Sequence, residues 1–599
     1  MSNKIFTTVP VPKFPRSTFN LSRPALFTPR MHKEYPTEIL EVIPGDGFKI
    51  YTEAYAKSMP MVAPVFAKSD ICQESFFVPA WQLHEDFDDF ITGGERGDYT
   101  DKMPFITVGN MFTFVDNAME NDFSVEFPVN DSPASRANVN LYNERLTMIQ
   151  DILEQMDVMR SIPFVVPDFV PLIQGMSNNA CINRAASNYS LFQTANQHCD
   201  GSSLRINLLP FAACLKVWCE FYRDENLCDD LYAIHWCGED ALQTDFRKLH
   251  GNLDSVLVTL QDTSDPEWYE FLHALFGLKS RAWKKDYFTS ALPFVQKGPD
   301  VVLPLDAEVS FRGIQGLSQD VTYAQTGVNV DGQLIGRVDS STAGQIKGRI
   351  DNASIGTTIQ DVRTAFRLEE LYEADSRFGS RYPENMLGQF GVHTPDSRLP
   401  RCQFLGSSKQ PIQVQQVIQQ SATDEVTPQG NLAGLSSSYG SNKLVKTYQS
   451  QHGFLICLSA VRVHSLYQQG IHPMFSRYDR TEYAWPRFAH LGEQPIYVKQ
   501  LYVDEDVVTE DQVFGYTPRY ADYKSDTGSI HGKLKGSLNV WTMARRFSSV
   551  PQLNEEFIYG RPRQDAFVVD NWLQPCFVME IDYHVRSNRL LPFYGQPTL

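Results

Sequence analysis

The feature that most constrains this chain is a set of strand-like runs separated by long excursions. Near the C-terminus, "QPCFVMEIDYHVRS" alternates Phe577, Met579, Ile581, Tyr583 and Val585 with Val578, Glu580, Asp582, His584 and Arg586, the period of a half-buried strand. "GFLICLSAVRV" at 453–463 and "QPIYVKQLYV" at 494–503 also read as strands, the first apolar on both faces. Between such runs lie helical patterns. "LPFAACLKVWCEFYRDEN" puts Phe211, Leu215, Trp218 and Tyr222 on one helical face, with Pro210 suited to the first turn. "TIQDVRTAFRLEELYEAD" does the same through Ile359, Val362 and Phe366, with Thr358 as N-cap, and 145–160 is a third helix candidate. This arrangement lacks the regular alternation of a parallel α/β sheet. It predicts a mainly β chain, a sandwich whose connecting loops have grown into subdomains.

At 599 residues, a prior of roughly 150 residues per domain suggests about four domains, although all-β chains often hang long excursions on one core. Residues 1–37 carry Lys4, Lys13, Arg16, Arg23, Arg30, His32 and Lys33, with no acid before Glu34. They read as an extended basic arm, leaving 38–599 as the main domain. Within it, 305–357 is punctuated by eight glycines between short β-prone runs, which predicts exposed hairpins unable to build a core alone. Residues 228–280 are a competing insertion, although Trp268, Phe271, Leu272, Leu275 and Phe276 look like a packed helix.

The net charge of −18 opposes a whole-protein role in gripping nucleic acid, because phosphate binding rests on Lys and Arg displacing counterions. The ten cysteines include no C-x-x-C pair and no regular framework, so they read as reduced thiols. No stretch approaches the roughly 20 apolar residues of a membrane span, and the first residues lack the apolar core of a signal peptide. Aromatic residues reach 12%, enough to supply both a core and subunit interfaces.

The usual catalytic signatures are missing: no G-x-x-x-x-G-K-[ST], no G-x-G-x-x-G after a strand, no H-E-x-x-H and no G-x-S-x-G. The acidic stretch 84–101 does not have the spacing of a calcium loop and reads as a solvated turn. In "RAWKKDYFTSALPFVQKG", 281–298, Asp286, Thr289 and Ser290 lack a neighbouring histidine. Arg281, Lys284 and Lys285 there are candidate DNA-facing or intersubunit basic residues. A glycan-binding or glycan-cleaving β-sandwich is the alternative from another class, since the separation of two carboxylates is a matter of fold.

"DYFTSALPFVQKG" resembles a hallmark segment of the major capsid proteins of microviruses, especially the gokushovirus-type branch. The likeness runs in order through "RSTFNLS", "VIPGD", "ESFFVP", 209–227, "TIQDVRTAFRLEELYEADSRFGSRYPENM", "CQFLGSSKQPIQVQQVIQQS", 461–502, "VFGYTPRYADYKSDTGSIHGKLKGSLNVW" and "RLLPFYGQPTL". Departures at Ala213, Cys214 and Leu215, at Cys219, at Gln451 and at Phe378 mark a divergent branch. The resemblance implies a single eight-stranded antiparallel jelly roll with helix-containing insertions. Copies would form a T=1 icosahedral shell of sixty around a circular single-stranded DNA genome, with no catalytic residue, cofactor or metal. It further implies a small basic DNA-packaging peptide, a scaffolding protein, a minor or pilot protein and a host cell-surface receptor as partners. Assembly would take place in the bacterial cytoplasm, the virion being the destination. A threefold protrusion for host attachment falls to 305–357.

Overall fold

The computed structural model describes the chain outside residues 1–14, 122–132, 163, 174–175, 177, 229–272, 300, 302–306, 312–325, 329–333, 337–349, 356–358, 380, 394, 397–398, 419–431, 505–510, 570 and 595–599. It divides into a large unit, 1–293 with 394–599, and a smaller one, Phe294–His393.

The large unit is built on nine strands: β1 Ser17–Asn20, β2 Arg23–Phe27, β3 Lys33–Val42, β4 Gly47–Ser58, β5 Ser69–Pro79, β6 Gln403–Ile418, β7 Leu432–Tyr448, β8 Gly453–Val463 and β9 Phe577–Arg589. With the two-residue strand Lys279–Ser280 they form a continuous antiparallel array of ten strands. Its order is β1-β9-β4-β7-β6-β5-β8-β3-(279–280), with β2 also on β9. The array folds over at β6. Residues 413–418 of that strand pair with β7, whereas 403–412 pair with β5. The result is two facing sheets, β1/β2-β9-β4-β7 and β6-β5-β8-β3, with an apolar layer between them. Phe48, Ile50, Met579, Ile581 and Val585 from one sheet pack there with Ile71, Phe77, Leu455, Val461 and Val463 from the other. Each such buried side chain contributes roughly 1.5–3 kcal/mol relative to exposure. Thr37 Oγ1 also bonds the Tyr583 hydroxyl across the layer.

The two sheets differ in their second face, and the sequence pattern follows. β9 is buried at every other residue, with its alternate side chains in solvent. β8 is buried almost throughout, because Ile456 and Leu458, like Phe76 and Val78 of β5, face a second core made by helices. Those helices are α1 Phe87–Thr92, α2 Val108–Asn121, α3 Pro133–Val158, α4 Asn178–Asn196 and α5 Leu209–Phe221. In α5 the predicted face Phe211, Leu215 and Trp218 is buried, but so are Ala212, Ala213, Cys214, Val217 and Cys219. The polar break in its circumference is the Lys216–Glu220 ion pair at 2.8 Å. α2 and α4 meet through Phe112 and Phe192, stacked at 5.4 Å.

Some expectations need adjustment. The strand expected over 494–503 ends early: Glu493–Tyr497 is a strand and Val498–Gln500 a 3-10 turn. The alternation of buried Ile496 and Val498 breaks there, and the next buried side chain is Leu501. The helix expected over 145–160 begins at Pro133. Residue 37, taken as the end of the arm, lies inside β3, and 17–27 pair with the chain's own last strand. Trp268, Phe271 and Leu272 lie outside the described residues, while Leu275 and Phe276 are core.

In the smaller unit, Ala307–Phe311 pairs with Ile350–Ile355 and Thr326–Val328 with Leu334–Gly336, both antiparallel. Two helices follow, α6 Ile359–Phe378 and α7 Tyr382–Phe390. Thr358, the expected N-cap, is outside the described residues. The apolar stripe of α6 has the expected period, yet Ile359 and Phe366 are exposed.

Candidate assembly site

Residues 279–298 begin as the short strand on β3, with Lys33 opposite Ser280 and Glu34 opposite Lys279. The chain then turns around Asp286. Its Oδ1 accepts the backbone N–H groups of Phe288 and Thr289 at 3.0 and 2.9 Å, and the Thr289 hydroxyl accepts the Asp286 N–H at 2.7 Å. Such a side-chain-capped turn is what Asp and Thr offer at this spacing. The second oxygen, Oδ2, accepts from Ser465 and, at 2.8 Å, from the Tyr467 hydroxyl. Asp286 is thus engaged through both oxygens in tying this turn to Ser465 and Tyr467. Tyr287 and Phe288 are buried beside it, Phe288 edge-on to Tyr467 at 4.9 Å. Trp283 donates from Nε1 to the Gly560 carbonyl at 2.9 Å, with the Arg545 guanidinium over its ring.

The three basic residues singled out in the sequence are separated. Arg281 is buried, donating to Glu34 at 2.6 Å and Glu74 at 2.9 Å and lying 5.3 Å from the centre of the Tyr222 ring. Its charge is neutralised inside its own subunit. Lys285 reaches Asp224 at 3.1 Å from the surface, and Lys284 is exposed.

Next to this segment lies a buried ionic cluster that the sequence did not single out. The Asp151 carboxylate of α3 accepts from Arg30, from Lys33 Nζ at 2.7 Å and from His273 Nε2 at 3.0 Å. Arg30 also donates to Glu154, at 3.0 Å, as does the Tyr35 hydroxyl at 2.7 Å. Burial by itself raises the Asp151 carboxyl, but Lys33 and Arg30 outweigh it and hold it well below the ordinary range. Burial pushes His273 down to about 4, so at neutral pH it is the uncharged ring that donates from Nε2. Glu34 is pushed up to about 7 by burial, against the opposing pull of Arg281. Arg30 and Lys33 of the arm are therefore counter-charges of α3. The available signal was Asp151 and Glu154 at i, i+3 on the predicted helix, beside a basic segment with no acids of its own.

The acidic stretch 84–101 forms α1, closed by Gly93 in the left-handed region at φ 83°, with its carboxylates largely in solvent. Among the described residues no group of three or more His, Cys, Asp or Glu is placed to hold a metal ion. The nine described cysteines are buried and none of them is in a disulfide, and burial pushes Cys214, Cys457 and Cys576 up to about 12. Among the described residues no helix is long and apolar enough to cross a membrane.

The described residues build a two-sheet antiparallel β-sandwich carrying helical insertions, with Arg281 and Asp286 engaged in ties within the subunit. Residues 7–138 and 154–599 match the family described as capsid protein (F protein), and the chain belongs to that family. It is 29% identical to capsid protein VP1 of Chlamydia phage 1, in an alignment covering 100% of this chain and 98% of that protein. It is 30% identical to capsid protein VP1 of Spiroplasma virus 4 (66% of this chain, 74% of that protein) and 29% identical to that of Bdellovibrio phage phiMH2K (66% and 73%). These are microviruses of the gokushovirus-like kind. The chain is accordingly a structural capsid protein and not an enzyme, and its place is the virion.

Proposed function

We propose that sixty copies of this chain close into a T=1 icosahedral shell around a circular single-stranded DNA genome, and that β2–β9 are the eight strands of a viral jelly roll. The alignment over the full chain with capsid protein VP1 of Chlamydia phage 1 carries this reading. The strand order supports it: β2-β9-β4-β7 faces β3-β8-β5-β6, so each sheet draws strands from both ends and the middle, as two interleaved Greek keys do. Closed symmetry needs unlike patches that meet around each axis, and the long insertions provide the surface for them. With a net charge of −18, most of the genome's charge is left to a small basic packaging peptide. A scaffolding protein, a minor or pilot protein and assembly in the bacterial cytoplasm complete the scheme. The hairpins within 305–357 form the threefold protrusion that meets a host receptor. The exposed Ile359 and Phe366 of α6 are surfaces for neighbouring copies.

Negative-stain electron microscopy with mass determination of the purified protein tests this. Closed particles with knobs on the threefold axes are expected, and deletion of 305–357 is expected to remove the knobs and host attachment while leaving closed shells. A subunit that stays monomeric when scaffold and basic peptide are supplied overturns the reading.

A further inference from the structure

The solvent face of the β9-β4-β7 sheet carries an arrangement that its place in the fold does not require. Strand register sets Arg586, Lys49 and Lys446 side by side in one row across three strands, and His584, Tyr51 and Lys443 in the next. Tyr448 extends β7 on the same face, with the Arg16 guanidinium 5.8 Å from its ring centre. Like charges directly opposite on a sheet repel, yet among the described residues Lys49, Lys443, Lys446 and Arg586 have no ion-pair partner. The carboxylates of the face begin in the adjoining row: Asp582 and Glu53 share the third row and Glu580 stands in the fourth, with Glu53 3.7 Å from His584. Tyr51 and Tyr448 are 45% and 62% exposed, so their rings are open for stacking.

We infer that this basic, tyrosine-bearing half of the sheet is a binding surface for single-stranded DNA. Paired cations track a phosphate backbone, and exposed aromatic faces stack bases without regard to sequence. The same cations disfavour a basic peptide as occupant. Arg16 adds a fifth charge at this edge, and the sequence preceding it holds Lys4 and Lys13 with no acid. The inference rests on the shell reading for its biological setting, because it assigns this face to the genome side.

The test is binding of a fluorescent oligothymidylate to the full chain before assembly, measured by anisotropy across a salt series. The variant K49Q/K443Q/K446Q/R586Q is expected to flatten the slope of log Kobs against log salt by about 3, at roughly 0.7 per phosphate contact on a single strand. Y51A and Y448A are expected to weaken binding by roughly five- to a hundredfold each with the slope unchanged. K57Q, at the far end of β4, is expected to change neither. If the quadruple variant does not fold, K49Q and K446Q singly are each expected to lower the slope by about 0.7. An unchanged slope overturns the inference. So does a folded variant that binds DNA normally but no longer forms particles, since the face is then a subunit contact. Wild-type protein that never forms particles, yet binds DNA through these four cations, overturns the shell reading alone.

Discussion

Replacing Asp151 by Asn tests the buried ionic cluster that ties α3 to the start of β3. In the native protein two cations, Arg30 and Lys33, face two carboxylates, Asp151 and Glu154, so the directly bonded set is neutral with His273 uncharged. The variant keeps both cations but only Glu154, and Lys33 is left with Ser280 Oγ at 3.1 Å. Asp151 is 2% exposed at its side chain, so water does not replace the lost charge. Breaking one member of such a set costs about 3–5 kcal/mol. Equilibrium urea unfolding of the unassembled subunit, with amide exchange in α3 as local probe, measures it. Because the folded carboxyl is held below its unfolded value, its stabilisation is full above about pH 4 and is lost as pH falls further. The difference between wild type and variant is therefore expected to shrink on acidification. K33M/D151N restores a neutral set with similar volume and is expected to recover most of the loss. A loss under about 1 kcal/mol at pH 7, or a double variant no better than the single one, refutes the argument that charge balance holds this joint.

Three further outcomes are expected. Glu34, raised to about 7, contributes stability that is fully present below its unfolded value near 4.5 and is lost as pH rises through 7; E34Q, measured by unfolding midpoint against pH, is expected to remove that slope. G453A is expected to destabilise the fold by more than about 1 kcal/mol, because a Cβ there meets the Val78 carbonyl oxygen at 2.2 Å and the Phe77 ring at 2.9 Å; near-native urea stability contradicts this. Alkylation at neutral pH is expected to label Cys214, Cys457 and Cys576 far more slowly in folded than in unfolded protein, since each is buried and its thiol is pushed up to about 12; mass spectrometry after brief labelling reads it.

Local periodicity made the elements legible. The alternation in 577–585 is the buried-exposed pattern of β9, and the two-sided apolar run of 453–463 reflects a strand covered by a sheet on one face and helices on the other. Long-range pairing was beyond that kind of reading. Arg30 meets a helix 121 residues later, and Arg281 meets Glu34 across 247 residues. Nothing in either neighbourhood announces the partner, so Arg281 looked like a surface cation in its own short segment. The row Arg586, Lys49 and Lys446 was hidden for the same reason. Each sits in an ordinary alternating strand, and only register places them together. The stripe on α6 shows the converse: the period predicts a helix with an apolar face, but not what covers that face.

The position of β9 sets a clock on subunit production. This last strand sits between the N-terminal strands and β4, bonded to both, so the first sheet has a vacant central place until residues 577–589 have been translated. At 5–20 residues per second, about half a minute to two minutes separate the synthesis of β4 from that of its neighbour. During that interval β1 and β2 have nothing to dock on, and the edge of β4 stays open. A ribosome-bound chain is therefore an incomplete building block, and truncation by a nonsense codon or proteolysis near the end yields a subunit without a finished wall. A chain cut before residue 577 lacks the strand that joins β1 and β2 to β4.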